Sequence, residues 1–353
     1  MFSKSLISKN LENFGQLLII RGFHIMKFFS FNKINLQKYL PRISIKKGAM
    51  LYTVITVGML FVFIVFVMIT NYKFPKYFQL ETENKKTGEV FAQTLITIAD
   101  EMAHRWLPND FLLYPTTLLD NPQNFQLGEL EALRYATRVL RDKLSRLRTT
   151  DRIDKDCEAV FVLFSNDPFK WWLPSAEGKY KSGLMHLEKY RDRLVSDDAQ
   201  FYPRADNLIE LLDQFCSLLG GVNTRLSHAP VEDKVTLSEE TAGDEFTDGE
   251  EFVDIHISWW RIDNNFYYAR GVAYIIKQVL EAVEHDFDNV LKIKKADELM
   301  RKTIHILEKA QLEPLIVMNG DRNGIFANHS LILQSVLEDS RQKMRSIQTM
   351  LQN

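Results

Sequence analysis

Cysteine is nearly missing from this chain. Its 353 residues hold two, Cys157 and Cys216, far too distant for a C-x-x-C redox motif or a paired zinc ligand. A bridge between them stays open, because an oxidising compartment permits disulfides but spacing alone cannot bring two Cα atoms within about 7 Å. Cys216 lies in an apolar pattern with Leu211, Leu212, Phe215 and Leu218, where a small buried thiol is the ordinary reading. Histidine is sparse as well: there are eight, and no pair stands four apart around a glutamate, so a zinc-protease helix is excluded. Neither a G-x-S-x-G elbow nor a glycine-rich phosphate loop occurs. Glycine and proline are too few for a fibrous or disordered chain. Alternating apolar and polar runs, the mark of half-buried strands, are scarce. No metal and no cofactor is expected.

Charge is missing altogether from one stretch. Gly48 to Thr70 reads GAMLYTVITVGMLFVFIVFVMIT without a single ionisable acid or base. About 20 apolar residues are what a helix needs to cross a hydrocarbon layer about 30 Å thick. A cleaved signal peptide is shorter and ends in small residues. Here the run begins late, and the bulky Tyr72, Phe74, Tyr77 and Phe78 follow it. It reads as an uncleaved anchor. Residues 1–50 carry nine Lys and Arg against one acid, Glu12, which places the N-terminus in the cytoplasm and the remainder outside. Met26 opens a basic lead of its own, so Met1 and Met26 both stand as start sites.

The expected plan is a basic cytoplasmic tail (1–47), a transmembrane helix (48–70), a juxtamembrane linker (71–87) and a helical periplasmic domain (88–353) of a single-pass protein of the inner membrane. The net charge of −2 hides a division, since the chain beyond residue 50 has 35 bases and 45 acids. Most of that excess comes from one polar run, Val231 to Asp254, with ten acids and only Lys234 as a base. Residues 230–254 therefore read as an acidic disordered loop. An acidic outer domain is a poor candidate for binding nucleic acid.

Helical periodicity dominates the rest. Val90, Phe91, Leu95, Ile98 and Met102 mark a helix ended by Pro108. Leu130, Leu133, Leu140 and Leu144 mark a second, with Glu129 and Glu131 near its start and Arg134, Arg138, Arg141 and Lys143 on a solvated face. Helical patterns also cover 179–194 and 205–219, the latter stopped by Gly220 and Gly221, then 266–283 and 294–310. Asn319, Gly320, Asn323 and Gly324 give the best hairpin signal, and Asn328 or Ser330 can cap a last helix. The fold class is mainly α, with at most a short β-hairpin near the C-terminus.

NFQLGELEALRYATRVLRDKLSR, WWLPSAEGKY, FYPRADNL, IDNNFYYARG and NGDRNGIFANHSL, in this order after one N-terminal span, resemble a family of uncharacterised Gram-negative inner-membrane proteins, a domain of unknown function. The resemblance implies a periplasmic domain. It brings no catalytic residues.

Two function classes fit the compartment. The favoured one is a binding or scaffolding component of the envelope without catalysis, its partners being the bilayer, an envelope protein and a further copy of itself. Arg204, Asp206, Asn207, Asp263, Arg270, Asn319, Asn328 and His329 are the polar candidates, and each has a plain alternative as a helix cap or internal ion pair. The other class is hydrolysis of a wall polysaccharide. Glycosidases need two carboxyl groups and apolar faces for sugar rings; Glu177 stands near Trp171, Trp172 and Tyr180, and Asp263 follows Trp259 and Trp260. Glu177 would be the acid.

Overall fold

The computed structural model describes residues 47–111, 114–148, 150–227, 234–236, 252–254, 262–314, 316–319 and 327–353. The chain divides into two compact units, residues 1–62 and 63–353. Most of helix α1 (Lys47–Asn71) lies in the first. At about 1.5 Å per residue its 25 residues extend about 37 Å, enough to cross a membrane. Every described side chain of the first unit, from Ala49 to Val62, is exposed. The hydroxyls of Thr53 and Thr56 return to the carbonyls of Ala49 and Tyr52, which pairs them inside the helix as an apolar surrounding requires.

The second unit is mainly α. Its helices are α2 (Glu89–His104), α3 (Asp120–Val139), α4 (Lys155–Phe164), α5 (Ala176–Val195), α6 (Ala205–Ser227), α7 (Ile262–Asp286), α8 (Asp288–Ile293), α9 (Asp297–Glu308) and α10 (His329–Gln352). Helix α7 is the axis. Its residues from Phe266 to Val283 are mostly apolar, and nearly all of them, Arg270, Lys277 and Gln278 included, are buried against α2, α3, α6, α9 and α10. A second layer forms where α2 packs on α5 and α5 on α4, and a third contact pairs α6 with α10.

Between α1 and α2 the chain is an extended strap laid along α7. Phe74 stacks on Tyr267 with centroids 5.2 Å apart, and Tyr77 stacks on Tyr274 at 5.4 Å. Three extended residues advance about 10 Å, and seven helical residues advance about the same distance, so the two repeats stay in step. The strap's carbonyls find partners on α7: Tyr274 Oη donates to Lys76 O (3.2 Å) and Gln278 Nε2 to Phe78 O (3.2 Å). The expected linker is thus a packed element.

Several local expectations need correction. Helix α6 does not stop at Gly220 and Gly221 but continues to Ser227, because Val222 and Leu226 extend its buried face and Asn223 donates to Glu338 of α10 (2.8 Å). That packing outweighs roughly 1 kcal/mol of intrinsic cost per glycine. Helix α3 starts at Asp120, so Glu129 sits mid-helix and buried instead of facing the positive helix end. The basic face is partly covered: Arg134 on α3 donates to the carbonyls of Phe164 (2.8 Å) and Asn166 (2.6 Å), and the guanidinium of Arg141, just past α3, lies 4.0 Å over the Phe161 ring, while Arg138 stays exposed. Unpaired carbonyls at the end of α4 draw the arginine in. The helix expected over 294–310 begins at Asp297, after Lys295 takes a left-handed conformation.

Cys157 and Cys216 are both buried free thiols. Among the described residues the one β ladder joins β1 (Lys234–Thr236) to β2 (Phe252–Asp254), antiparallel. The rest of the acidic loop expected at 230–254 lies outside the described residues. Near the C-terminus Asn319 and Asn328 form a single antiparallel bridge, and residues 320–326 also lie outside.

Candidate functional site

The polar residues singled out from sequence fall into three separate places. Arg204, Asp206 and Asn207 gather at the start of α6. The Arg204 guanidinium makes two bonds to the Asp206 carboxylate (3.0 and 2.8 Å) and a third to Leu147 O, while the buried Asn207 amide donates to Tyr202 O. Asn319, Asn328 and His329 form the neck before α10. Asn319 Oδ1 accepts from Ser330 N, Asn328 Oδ1 caps α10 by accepting from Leu331 N, and His329 Nδ1 accepts from Met318 N. Asp263 and Arg270 stand on α7. Burial raises the Asp263 carboxyl, and the nearby charge of Asp120 raises it further.

Arg270 is the most unusual of these. It is 1% exposed and surrounded by rings, with Phe74, Tyr267 and Phe125 centroids 4.8, 5.4 and 5.8 Å from its guanidinium carbon. Its Nη2 reaches Glu313 at 3.4 Å, but Nε and Nη1 have no hydrogen-bond partner among the described residues. Burial lowers its proton affinity. An arginine held this way locks the strap to α7 through ring faces.

A corner built by the 105–121 segment and the chain entering α5 brings together residues with more chemical potential. The Trp106 indole donates to Pro168 O (2.9 Å), and the buried Asn109 amide donates to both Lys170 O (3.0 Å) and Glu177 Oε2 (2.8 Å). Next to Glu177 stands Asp110, which also accepts from the Thr116 hydroxyl. Burial raises the Asp110 carboxyl; the Thr116 bond opposes this and the Glu177 charge adds to it. The sequence offers Glu177 and Asp263 as carboxyl candidates; Asp263 stands on α7, and the carboxyl that feels the Glu177 charge is Asp110. Phe111 and Trp171 meet at 5.6 Å, Trp171 and Trp172 at 5.3 Å, and all three rings are exposed.

A third cluster escaped the sequence reading. Asp154, Asp156, His186 and Arg193 meet where α4 and α5 pack, with Arg193 Nη2 2.6 Å from Asp156 and His186 Nδ1 2.9 Å from it. Burial alone would raise the Asp156 carboxyl, but His186 and Arg193 outweigh it and hold it below the usual range. Asp156, His186 and Arg193 line an open groove of about 570 Å³ with Lys155, Lys189 and Asp192. No local spacing signals it, because its members come from two helices. Among the described residues no group of three or more His, Cys, Asp or Glu side chains is arranged to hold a metal ion.

A family model described as "Uncharacterized protein conserved in bacteria (DUF2333)" matches residues 43–353. The chain belongs to this family. The DUF2333 match covers α1, the strap and every described helix of the second unit, so the family includes both the anchor-like helix and the domain. No curated protein and no solved structure matches the chain.

Proposed function

We propose that this DUF2333 chain is a single-pass anchored module of the bacterial inner membrane, with residues 1–47 in the cytoplasm and the helical domain in the periplasm, that binds and positions another envelope component without catalysis. The observation that carries this reading is the strap. Phe74 and Tyr77 stack on α7 directly after the α1 helix, so no free tether separates the end of that helix from the domain. Packing that begins so soon after the apolar helix suits a part that holds a partner close to the bilayer. The exposed Arg204–Asp206 pair and the Asn319–Asn328 neck offer polar contacts for such a partner.

Two measurements test it on the full chain. A reporter active only after export, fused to the C-terminus, should be on, and a silent one beside an active cytosolic reporter refutes the topology. Photo-crosslinking from Arg204 and His329 in living cells should capture one envelope protein in high yield, and Arg204→Glu should reduce that yield while the melting temperature holds. Uniform background capture at both positions refutes the binding role.

Cleavage of a wall polysaccharide remains a second reading, favoured by the Asp110–Glu177 pair beside exposed tryptophans. Here Asp110, whose carboxyl burial raises, is the candidate to hold the proton a general acid delivers. Full-length protein in detergent should then clear wall material, and Asp110→Asn and Glu177→Gln should each abolish clearing. Equal clearing by both variants, or none by the native chain from pH 4 to 9, eliminates it.

A further inference from the structure

The corner that carries Trp171 and Trp172 is supported by a segment bonded to Asn71 and Tyr72, the last residue of the apolar helix and the residue after it. Its supporting segment begins and ends there: Arg105 Nη2 donates to Asn71 O (3.4 Å), and Asn121 Nδ2 donates to Tyr72 Oη (3.3 Å). Between these two attachments the chain projects Phe111 and Tyr114, and the Trp106 and Asn109 bonds fasten residues 168–170 to it. The residues that follow are unusually bare, Trp172 being 68% exposed and Leu173 85%, next to the exposed ring of Phe169. A soluble surface rarely gathers so many large apolar groups without a partner. Indole and phenol rings favour the boundary between lipid headgroups and acyl chains, where one edge is apolar and the other wet. The exposed Lys73 and Lys170 add the charge that anionic headgroups attract.

From this juxtaposition we propose that the aromatic corner rests in the interfacial layer of the same membrane that α1 crosses, so the domain lies down on the bilayer at a second point. The inference depends on α1 being a membrane anchor. Trp171, Trp172 and Leu173 then give the second unit a lipid contact of its own, besides the apolar helix that precedes it. The occupant of the corner is lipid, not a sugar polymer or a second copy.

Spin labels on single introduced cysteines read this directly, because both native cysteines are buried. Full-length protein is reconstituted in vesicles of phosphatidylethanolamine and phosphatidylglycerol, labelled at Leu173→Cys, at Ile293→Cys as an exposed site beyond the opposite end of α7, and at Phe61→Cys within α1. Collision with an aqueous nickel chelate should be several-fold weaker at Leu173 than at Ile293, collision with oxygen correspondingly stronger, and Phe61 the most shielded. Trp171→Ser with Trp172→Ser should return the Leu173 label to the Ile293 level without lowering the melting temperature. Leu173 as open to nickel as Ile293, with Phe61 shielded, overturns the docking and leaves the anchor standing. If Phe61 is also open, the anchor fails and the docking falls with it. Shielding at Leu173 that disappears when labelled protein is diluted with lipid assigns the surface to a second copy and overturns the proposal.

Discussion

Gly128 and Gly271 stand opposite each other where α3 crosses α7, each occupying the only space the other helix's backbone leaves. A β-carbon on Gly128 would overlap the Tyr268 carbonyl oxygen, and one on Gly271 would overlap the Phe125 carbonyl oxygen. The obstacle in both cases is main chain, which cannot rotate aside. Gly128→Ala and Gly271→Ala should each destabilise the fold by about 2 kcal/mol or more, since overpacking typically costs 1–3 kcal/mol. The double variant should cost less than the sum, because one separation of the helices relieves both overlaps. Urea melts of the three variants against the native chain measure this, and full additivity contradicts a shared crossing.

The sequence offers Arg270 as a polar candidate for binding a partner. Its burial among Phe74, Phe125 and Tyr267 changes that expectation. A buried carboxylate facing ring faces and the Glu313 carboxylate has no partner, so Arg270→Glu should unfold the strap region or the whole domain. Arg270→Met keeps most of the volume and removes the desolvation cost of a cation with two unpaired N–H groups. It should change stability by less than about 1.5 kcal/mol, as volume-conserving swaps do. Thermal melts of the two variants decide it; a collapse with methionine equal to that with glutamate means the guanidinium itself is required.

What could be read in advance was what repeats locally. The uninterrupted run from Gly48 to Thr70 announced α1, and apolar residues three and four apart announced α2, α3, α5 and α10, because burying one face leaves a period in the sequence. What stayed hidden depended on contacts between distant segments. Nothing in YKFPKYFQL tells that Phe74 and Tyr77 match Tyr267 and Tyr274 two helical turns apart. Gly220 and Gly221 looked like a stop because the helix beyond them is held by α10, over a hundred residues later. The candidate site divided along the same line: Asn328 was legible as a cap, while Asn109 reaches Glu177 across 68 residues of chain.

The strap itself should open before the domain does. Phe74 and Tyr77 carry its main contacts, and the Tyr77 hydroxyl reaches Leu307 O at 3.4 Å. Phe74→Ala should cost about 3 kcal/mol at the low end of phenylalanine truncations, since the ring is only partly buried. Hydrogen exchange should then speed up at residues 74–80 and around Tyr267 while α6 and α10 keep their protection. Equal acceleration throughout the domain means the strap is part of one cooperative unit with α7.

Glu129 supplies a pH signature with a definite sign. Its carboxyl is buried in a small pocket near Glu101, Arg105 and Lys73, and Tyr274 shares its field. Burial raises it well above 4.5; the Glu101 charge adds to this and Arg105 opposes it. The folded chain therefore keeps a proton that the unfolded chain loses, and this residue's contribution to stability falls as pH rises from 4.5 through the raised value. Asp156 and Glu338, held below their usual range, act oppositely and lose their contribution as pH falls. Comparing the native chain with Glu129→Gln isolates the one effect. The variant should match the native chain at pH 4 and exceed it at pH 8, by about 1.4 kcal/mol for each pKa unit of the shift. A difference in melting free energy that stays constant from pH 4 to pH 8 would show that Glu129 ionises as freely in the fold as in water.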